Sequence, residues 1–297
     1  MAISIPGTDR AEKSGAAPAA TAFGWPRNFF DHRFVYTVIS PRARGLSIGI
    51  NMNPDRHCSF DCVYCEVNRE LPVLDQKLDV AIMAQELDQT LALVRSGRIR
   101  EHPGFRGLSE DLLQLRHVAV SGDGEPTLCP NFTEAIQVMV HMRARQPHAF
   151  FKLALITNGT GLDLPGVQEG LRYFTGDDEI WIKLEAGAQA HMDRVNRGQV
   201  PLEKVVANIM LVGRQRPIII QSLFPLVLGQ EPGPEEIDDY ILLLGNLKKG
   251  GARIALVQVY SATRPMAHPD CGHLRLKTLS QICQRIKAET GLKAEVF

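Results

Sequence analysis

Cys58-Ser59-Phe60-Asp61-Cys62-Val63-Tyr64-Cys65 places three thiols within eight residues, spaced C-x3-C-x2-C, and the next cysteine in the chain is Cys129. A structural zinc site closes a tetrahedron with four protein ligands, commonly as two short-spaced pairs. This loop offers three, so zinc would need a fourth ligand such as His57. Three adjacent thiolates suit a cubane [4Fe–4S] cluster better, with one iron left open to bind something other than protein; cysteine thiolates are the usual ligands of such clusters. A zinc knuckle remains the plainer alternative at this point.

Immediately before the loop, Leu46, Ile48 and Ile50 alternate with small residues, the period of a strand, over residues 41–51. The thiols therefore follow the carboxyl end of a first strand. Upstream, residues 25–32 are dense in aromatic and charged side chains and read as an irregular cap on one end of the domain. Residues 1–24 are rich in Ala, Gly, Ser and Thr without the apolar segment of a signal peptide, and read as a disordered tail. Downstream, helical spacing predicts helices over 80–98, 131–145 (with Asn131 as a candidate cap), 167–174, 202–213, 234–247 and 274–289. Short apolar runs at 117–121, 152–157, 179–184, 218–224 and 254–260 predict five further strands. Strands alternating with helices imply a parallel sheet. The expected fold is α/β: an open, partial (β/α)6 TIM barrel over residues 25–297 forming one domain, and in barrels the chemistry sits at the carboxyl ends of the strands.

Polar motifs fall at those ends. After the second strand comes Ser121-Gly122-Asp123-Gly124-Glu125-Pro126-Thr127-Leu128. Gly122 and Gly124 let backbone approach a ligand closely because no Cβ intervenes, and Glu125 brings a carboxylate to the same turn. After the third strand, Thr157-Asn158-Gly159 offers short polar side chains suited to a ribose or carboxylate. In the fourth strand, Ile180 and Ile182 facing the helices would turn Trp181, Lys183 and Glu185 inward. Buried charge is costly unless paired, so Lys183 and Glu185 are candidates for pairing with one another, for ligand contact or for substrate proton handling. Gln221 and Gln258 are polar positions in apolar strands, read equally as hydrogen-bonded core amides or as substrate contacts.

The cysteine spacing, with the aromatic Tyr64 before the last thiol, resembles the signature of the radical S-adenosylmethionine (SAM) superfamily. The blocks Ser40 to Asn51, Ser59 to Glu66, Gly124 to Leu128, Leu155 to Gly159, Ile182 to Ala186, Asn196-Arg197, Gln221 to Phe224 and Thr263-Arg264-Pro265 occur in order. Together they are similar to the wyosine-synthase-like Fe–S oxidoreductases, many of them bacterial and of unknown substrate. The resemblance implies a [4Fe–4S] cluster on Cys58, Cys62 and Cys65, and SAM chelated by the open iron. It further implies SAM contacts from Tyr64, Gly122, Gly124, Glu125, Thr157, Asn158 and Lys183, with Lys183 and Glu185 as candidate catalytic residues. One electron from an external flavodoxin- or ferredoxin-type reductant would cleave SAM to a 5′-deoxyadenosyl radical that abstracts hydrogen from a substrate. A glycyl-radical activase and a tRNA-modifying enzyme use the same core chemistry and are the alternatives. No cysteine precedes Cys58, so the extra N-terminal cluster of archaeal and eukaryotic wyosine synthases has no ligands here. Cys129, Cys271 and Cys283 stand apart and are expected to be packing residues.

Composition narrows the partners. The 297 residues carry 33 basic and 33 acidic side chains, a balance that gives no bulk attraction to nucleic acid or an anionic membrane. The groups Arg27, Arg33, Arg42, Arg44 and Arg95, Arg98, Arg100, Arg106 read as solvated faces. No apolar run is long enough to span a bilayer. Clustered reduced thiols without a disulfide framework point to the cytoplasm.

Overall fold

The computed structural model describes residues 29–297 apart from positions 71, 74, 146–149, 263, 265 and 267. The predicted tail, the aromatic segment up to residue 28, and Thr263 and Pro265 lie outside the described residues.

The chain enters through β1 (Val35–Ser40), turns, and returns antiparallel as β2 (Gly45–Asn51), the strand that leads to the cysteines. Then follow α1 (Val80–Arg95), the short α2 (Glu110–Leu113), β3 (Leu115–Ser121), α3 (Phe132–Arg145), β4 (Lys152–Thr157) and α4 (Pro165–Leu171). Next come β5 (Glu179–Lys183), α5 (Gln189–Asn196), α6 (Leu202–Gly213), β6 (Ile218–Leu223), β7 (Pro225–Val227) and α7 (Pro234–Lys249). The chain closes with β8 (Ile254–Tyr260), β9 (Cys271–His273), α8 (Leu276–Thr290) and β10 (Ala294–Val296). One eight-stranded sheet has the order β1-β2-β3-β4-β5-β6-β8-β10. From β2 to β10 every neighbouring pair is parallel. The two end strands do not pair with each other, so the barrel is open, as expected.

The six predicted parallel strands are all present, and two edges extend them. β10 adds a seventh parallel strand, too short to show a period. β1 was hidden by the aromatic and charged residues ahead of it. Its entry is fixed by Glu86 of α1, whose buried carboxylate accepts the backbone N–H groups of Arg33, Phe34 and Val35 at 2.7, 2.9 and 3.1 Å. α1 starts where Asp79 accepts from Ala81 N and Ile82 N, the usual N-cap arrangement, and buries Met83, Leu87 and Leu91 at helical spacing. Asn131 stands at the cap position of α3, its carbonyl accepting from Ala135 N at 2.9 Å, and its side chain donates to the Leu78 carbonyl at 3.0 Å, which ties the cysteine-bearing connection to the helix.

Helix-facing strand residues such as Ile48, Val118, Leu153, Ile180, Ile182, Ile220, Val257 and Val259 form the main core. The opposite faces line the barrel interior. There Lys183, Gln221 and Gln258 are in register across β5, β6 and β8. Gln221 Nε2 donates to Gln258 Oε1 at 2.8 Å and both residues are 1% exposed, so these are core amides satisfying one another. Cys129, Cys271 and Cys283 are buried in apolar surroundings, as expected of packing residues. No helix among the described residues is long and apolar enough to cross a membrane.

Candidate functional site

The cysteine loop lies over the carboxyl ends of the strands and is held from three sides. On the first, the Gly122–Glu125 turn after β3 passes beneath it. Glu125 N donates to the His57 carbonyl at 2.9 Å, and a Cβ at Gly124 would lie 2.0 Å from that same carbonyl oxygen. Only glycine admits this crossing. On the second side, the end of α5 runs alongside: Asp61 N donates to the Asn196 carbonyl at 3.0 Å and Val63 N to the Val195 carbonyl at 2.9 Å. A Cβ at Gly198 would meet the Phe60 ring at 2.3 Å. On the third, Arg69 donates to the Phe60 carbonyl at 2.6 Å.

Two side-chain amides point at the sulfurs. Asn158 Nδ2 lies 3.7 Å from Cys58 Sγ and donates to Ser59 Oγ at 2.9 Å. Asn196 Nδ2 lies 3.4 Å from Cys62 Sγ, 3.3 Å from Tyr64 Oη and 3.1 Å from Glu185 Oε2. Asn196 is thus the hub of a buried polar group. Its position follows from the short helix α5, which has only eight residues and buries His191, Met192, Val195 and Asn196. A helix this short falls below the window in which periodicity is read, so helix and hub alike escape it.

Glu125 proves to be an internal tie. It is 2% exposed; Oε1 accepts from Thr127 N, Thr127 Oγ1 and Thr157 Oγ1 at 3.1, 2.6 and 2.5 Å, and Oε2 accepts from Asn158 N at 2.7 Å. The carboxylate therefore locks the end of β4 to the turn after β3 and holds Thr157 and Asn158 in place. Gly122 packs against Asn51 and Asn53, where a Cβ would sit 3.0 Å from Asn51 Oδ1, and Asn51 binds Asp123 at 2.8 Å. The predicted residues at the ends of β2, β3 and β4 are all brought together.

Lys183 and Glu185 enter from β5 and the loop beyond it. The Lys183 ammonium lies 5.9 Å from the centre of the Tyr64 ring. Burial pulls its pKa down, but Tyr260, Cys62, Glu185 and Cys65 outweigh burial and raise it, so Lys183 holds its proton. Burial raises Glu185, opposed by Lys183 and by hydrogen bonds from Asn196 and Tyr64. Burial pushes the Cys62 thiol up to about 12, with Glu185 adding to the rise and Lys183 and Asn196 opposing it. Cys58 is raised too, chiefly by burial. Thiols in this state release their protons when a cationic metal group takes up the thiolate charge. A soft sulfur donor set with N–H donors and an ammonium facing it therefore fits an anionic iron–sulfur group. Among the described residues no three His, Cys, Asp or Glu side chains converge closely enough to share a single metal ion.

No known protein-family profile matches the chain. Curated relatives are called UPF0026 proteins. The chain is 23% identical over 177 residues to one from Helicobacter pylori, covering 59% of this chain and 49% of the relative. It is 28% identical over 179 residues to one from Synechocystis, covering 59% and 57%, and 27% identical over 165 residues to one from Methanocaldococcus jannaschii, covering 53% and 44%. The chain thus matches about half the length of these relatives. Among solved structures it resembles TYW1 with a lysine-pyruvate adduct bound, with a TM-score of 0.57 at 14% identity, covering 90% of this chain and 87% of that one. It also resembles Streptococcus suis SuiB bound to S-adenosylmethionine, with a TM-score of 0.54 at 12% identity, covering 86% and 49%. The α/β fold with its mostly parallel sheet is shared with TYW1 and SuiB.

Proposed function

We propose that the protein is a radical SAM enzyme in which Cys58, Cys62 and Cys65 hold a [4Fe–4S] cluster. The observation that carries this reading is the three-thiol loop at the carboxyl end of β2, seated on Gly124 with the amides of Asn158 and Asn196 directed at two of its sulfurs. SuiB, which shares the fold, was solved with S-adenosylmethionine bound, and this supports SAM as the ligand here. When bound, the cluster and SAM would supply a 5′-deoxyadenosyl radical that removes hydrogen from a substrate.

This chain's own residues then divide as follows. The three cysteines ligate. Asn158 and Asn196 donate hydrogen bonds to thiolate sulfur and fix the loop. Lys183, protonated inside the barrel, offsets negative charge on the sulfurs and is placed to contact a carboxylate. Tyr64 and Glu185 complete the Asn196 hub and hold the interior side of the loop. The backbone at Gly122 and Gly124 leaves room for close approach from above. The electron comes from an external flavodoxin- or ferredoxin-type protein, in a reducing compartment such as the cytoplasm where free thiols persist.

Anaerobic reconstitution with iron and sulfide tests the reading. The expected result is close to four irons per chain, and methionine with 5′-deoxyadenosine on addition of SAM and dithionite. Cys58→Ala, Cys62→Ala and Cys65→Ala should each lose both. An iron content unaffected by these substitutions, or an iron-replete protein that never cleaves SAM, would overturn it.

A further inference from the structure

The opposite end of the barrel carries a second polar chamber that the cysteine chemistry does not use. A cavity of about 490 Å³ opens at the amino ends of the strands, within the roughly 300–1,000 Å³ range of small-molecule sites. Its walls include Arg42 and Arg44 from the β1–β2 turn, Arg116 and His117 from the start of β3, Lys152 from the start of β4 and Trp181 of β5. Cations outnumber carboxylates here. Lys152 pairs with Glu179 at 2.5 Å, and Arg44 and Lys293 share Glu295 at 2.6 and 3.1 Å. Those pairs use both acidic side chains of the cavity wall.

Two guanidiniums are left over. Arg42 lies over the Tyr260 ring at 4.3 Å, and its buried Nε finds no hydrogen-bond partner among the described residues. Arg116 donates its Nε to the Arg44 carbonyl at 2.9 Å and makes no ion pair among the described residues. Beside them His117 is 1% exposed, and its Nδ1 has no hydrogen-bond partner among the described residues. Its ring stands edge-on to Trp181 at 5.2 Å. Burial, then the charges of Lys152 and Arg42, drive His117 down to about 3, so its ring stays neutral beside the guanidiniums. Arg44 is exposed, as expected of a solvated face, whereas the fold turns Arg42 inward over Tyr260. Like charges gathered in a partly enclosed space favour an anion that can neutralise them, and guanidinium geometry suits oxyanions with paired oxygens.

The structure assigns an oxyanion-binding site to the amino-terminal mouth of the barrel, taking a small phosphate- or polycarboxylate-bearing molecule on Arg42 and Arg116. Arg42 reaches up to Tyr260, which packs with Tyr64 beside the cysteine loop, but the site takes its donors from the amino-terminal mouth and does not depend on the function proposed above. It leaves the Lys152–Glu179 and Arg44–Glu295 pairs intact, because its donors are the two guanidiniums those pairs do not use.

Trp181 reports on the cavity directly. The only other tryptophan is Trp25, so the full-length Trp25→Phe protein isolates the signal. Inorganic phosphate, pyrophosphate and citrate would be titrated in turn at constant ionic strength, with potassium chloride as the control. The expected result is a saturable change in Trp181 emission and a rise in unfolding midpoint with at least one of the three, absent with chloride. Saturation by phosphate or pyrophosphate alone would identify a phosphate ligand; saturation by citrate alone, a polycarboxylate. Arg42→Gln and Arg116→Gln should each weaken that binding about tenfold or more, while Arg98→Gln, on an exposed turn, should not. No saturable response to any of the three anions would overturn the proposal. Unweakened binding in both folded cavity variants would overturn it equally.

Discussion

Replacing Gly124 by alanine asks whether the cysteine loop owes its position to the turn beneath it. The added Cβ would sit 2.0 Å from the His57 carbonyl oxygen and 2.7 Å from its carbon, both backbone atoms. A Cβ needs about 3 Å or more, so one strand of the crossing must retreat by roughly 1 Å. The obstacle is main chain next to Cys58, and a rotamer change cannot relieve it. Overpacking of this kind costs about 1–3 kcal/mol. Parting the two segments also breaks the 2.9 Å hydrogen bond from Glu125 N to His57 O, worth roughly 1 kcal/mol more. Together these give about 2–4 kcal/mol, or a fall in melting temperature of roughly 3–7 °C for a chain of this size. Because the retreat moves the residue before the first thiol, iron loading should fall as well. Gly107→Ala, where a Cβ would meet nothing within 4 Å, is the matched control and should change neither. Calorimetry and an iron assay on reconstituted protein check both readouts. A Gly124→Ala protein with the melting temperature and iron content of the parent would refute the claim that the turn positions the loop.

Other perturbations test separate parts of the structure. Asp178→Asn breaks a buried ion pair with Arg143, whose side chains are 0% and 6% exposed, and should cost about 3–5 kcal/mol in urea unfolding; a loss below 1 kcal/mol would show the pair is dispensable. Asn196→Ala removes an N–H aimed at Cys62 Sγ. A hydrogen bond of about 1 kcal/mol corresponds to roughly 40 mV for one electron, so the proposed cluster should titrate more negative by about that amount in this variant; an unchanged potential would remove Asn196 from this role. His117 has a native pKa near 3 against an ordinary 6.5, depressed chiefly by burial. The unfolded chain therefore takes up a proton that the native state refuses. The associated stability is complete above pH 6.5 and is lost as pH falls toward 3, by at most about 1.4 kcal/mol per pH unit. His117→Gln should accordingly lose less stability than the parent between pH 6.5 and 4, and equal acid sensitivity would contradict the assignment. Glu125→Gln should destabilise by about 1–3 kcal/mol because it disturbs four buried hydrogen bonds, and a neutral outcome would argue that Thr157 and Asn158 are held by other means.

Most of the fold was written in local patterns. The buried parallel strands are short apolar runs between helices of clear 3.6 periodicity, and those two signals need no knowledge of distant contacts. β1 and β10 were not legible, since one follows an aromatic segment and the other has three residues. Their strand character comes from pairing with β2 and β8, a long-range hydrogen-bonding fact. The helix α5 escapes for another reason: its eight residues are fewer than the window over which helical periodicity shows. Gln221 and Gln258 illustrate a limit of another kind, because either amide alone could serve a ligand, and only their register shows that they bond each other.

By itself the sequence determined the thiol spacing, the order of strands and helices, and the glycine and asparagine positions at the strand ends. These are properties of neighbouring residues along the chain. Tertiary structure decided which groups share a space. It made Glu125 an internal clamp on Thr157 and Asn158, made Asn196 the donor to Cys62, Tyr64 and Glu185, and turned Arg42 and Arg116 into one wall of a cavity. The physical reason is that hydrogen bonding and electrostatics act through distance in space, and Cys62 and Asn196, 134 residues apart in the chain, meet at 3.4 Å.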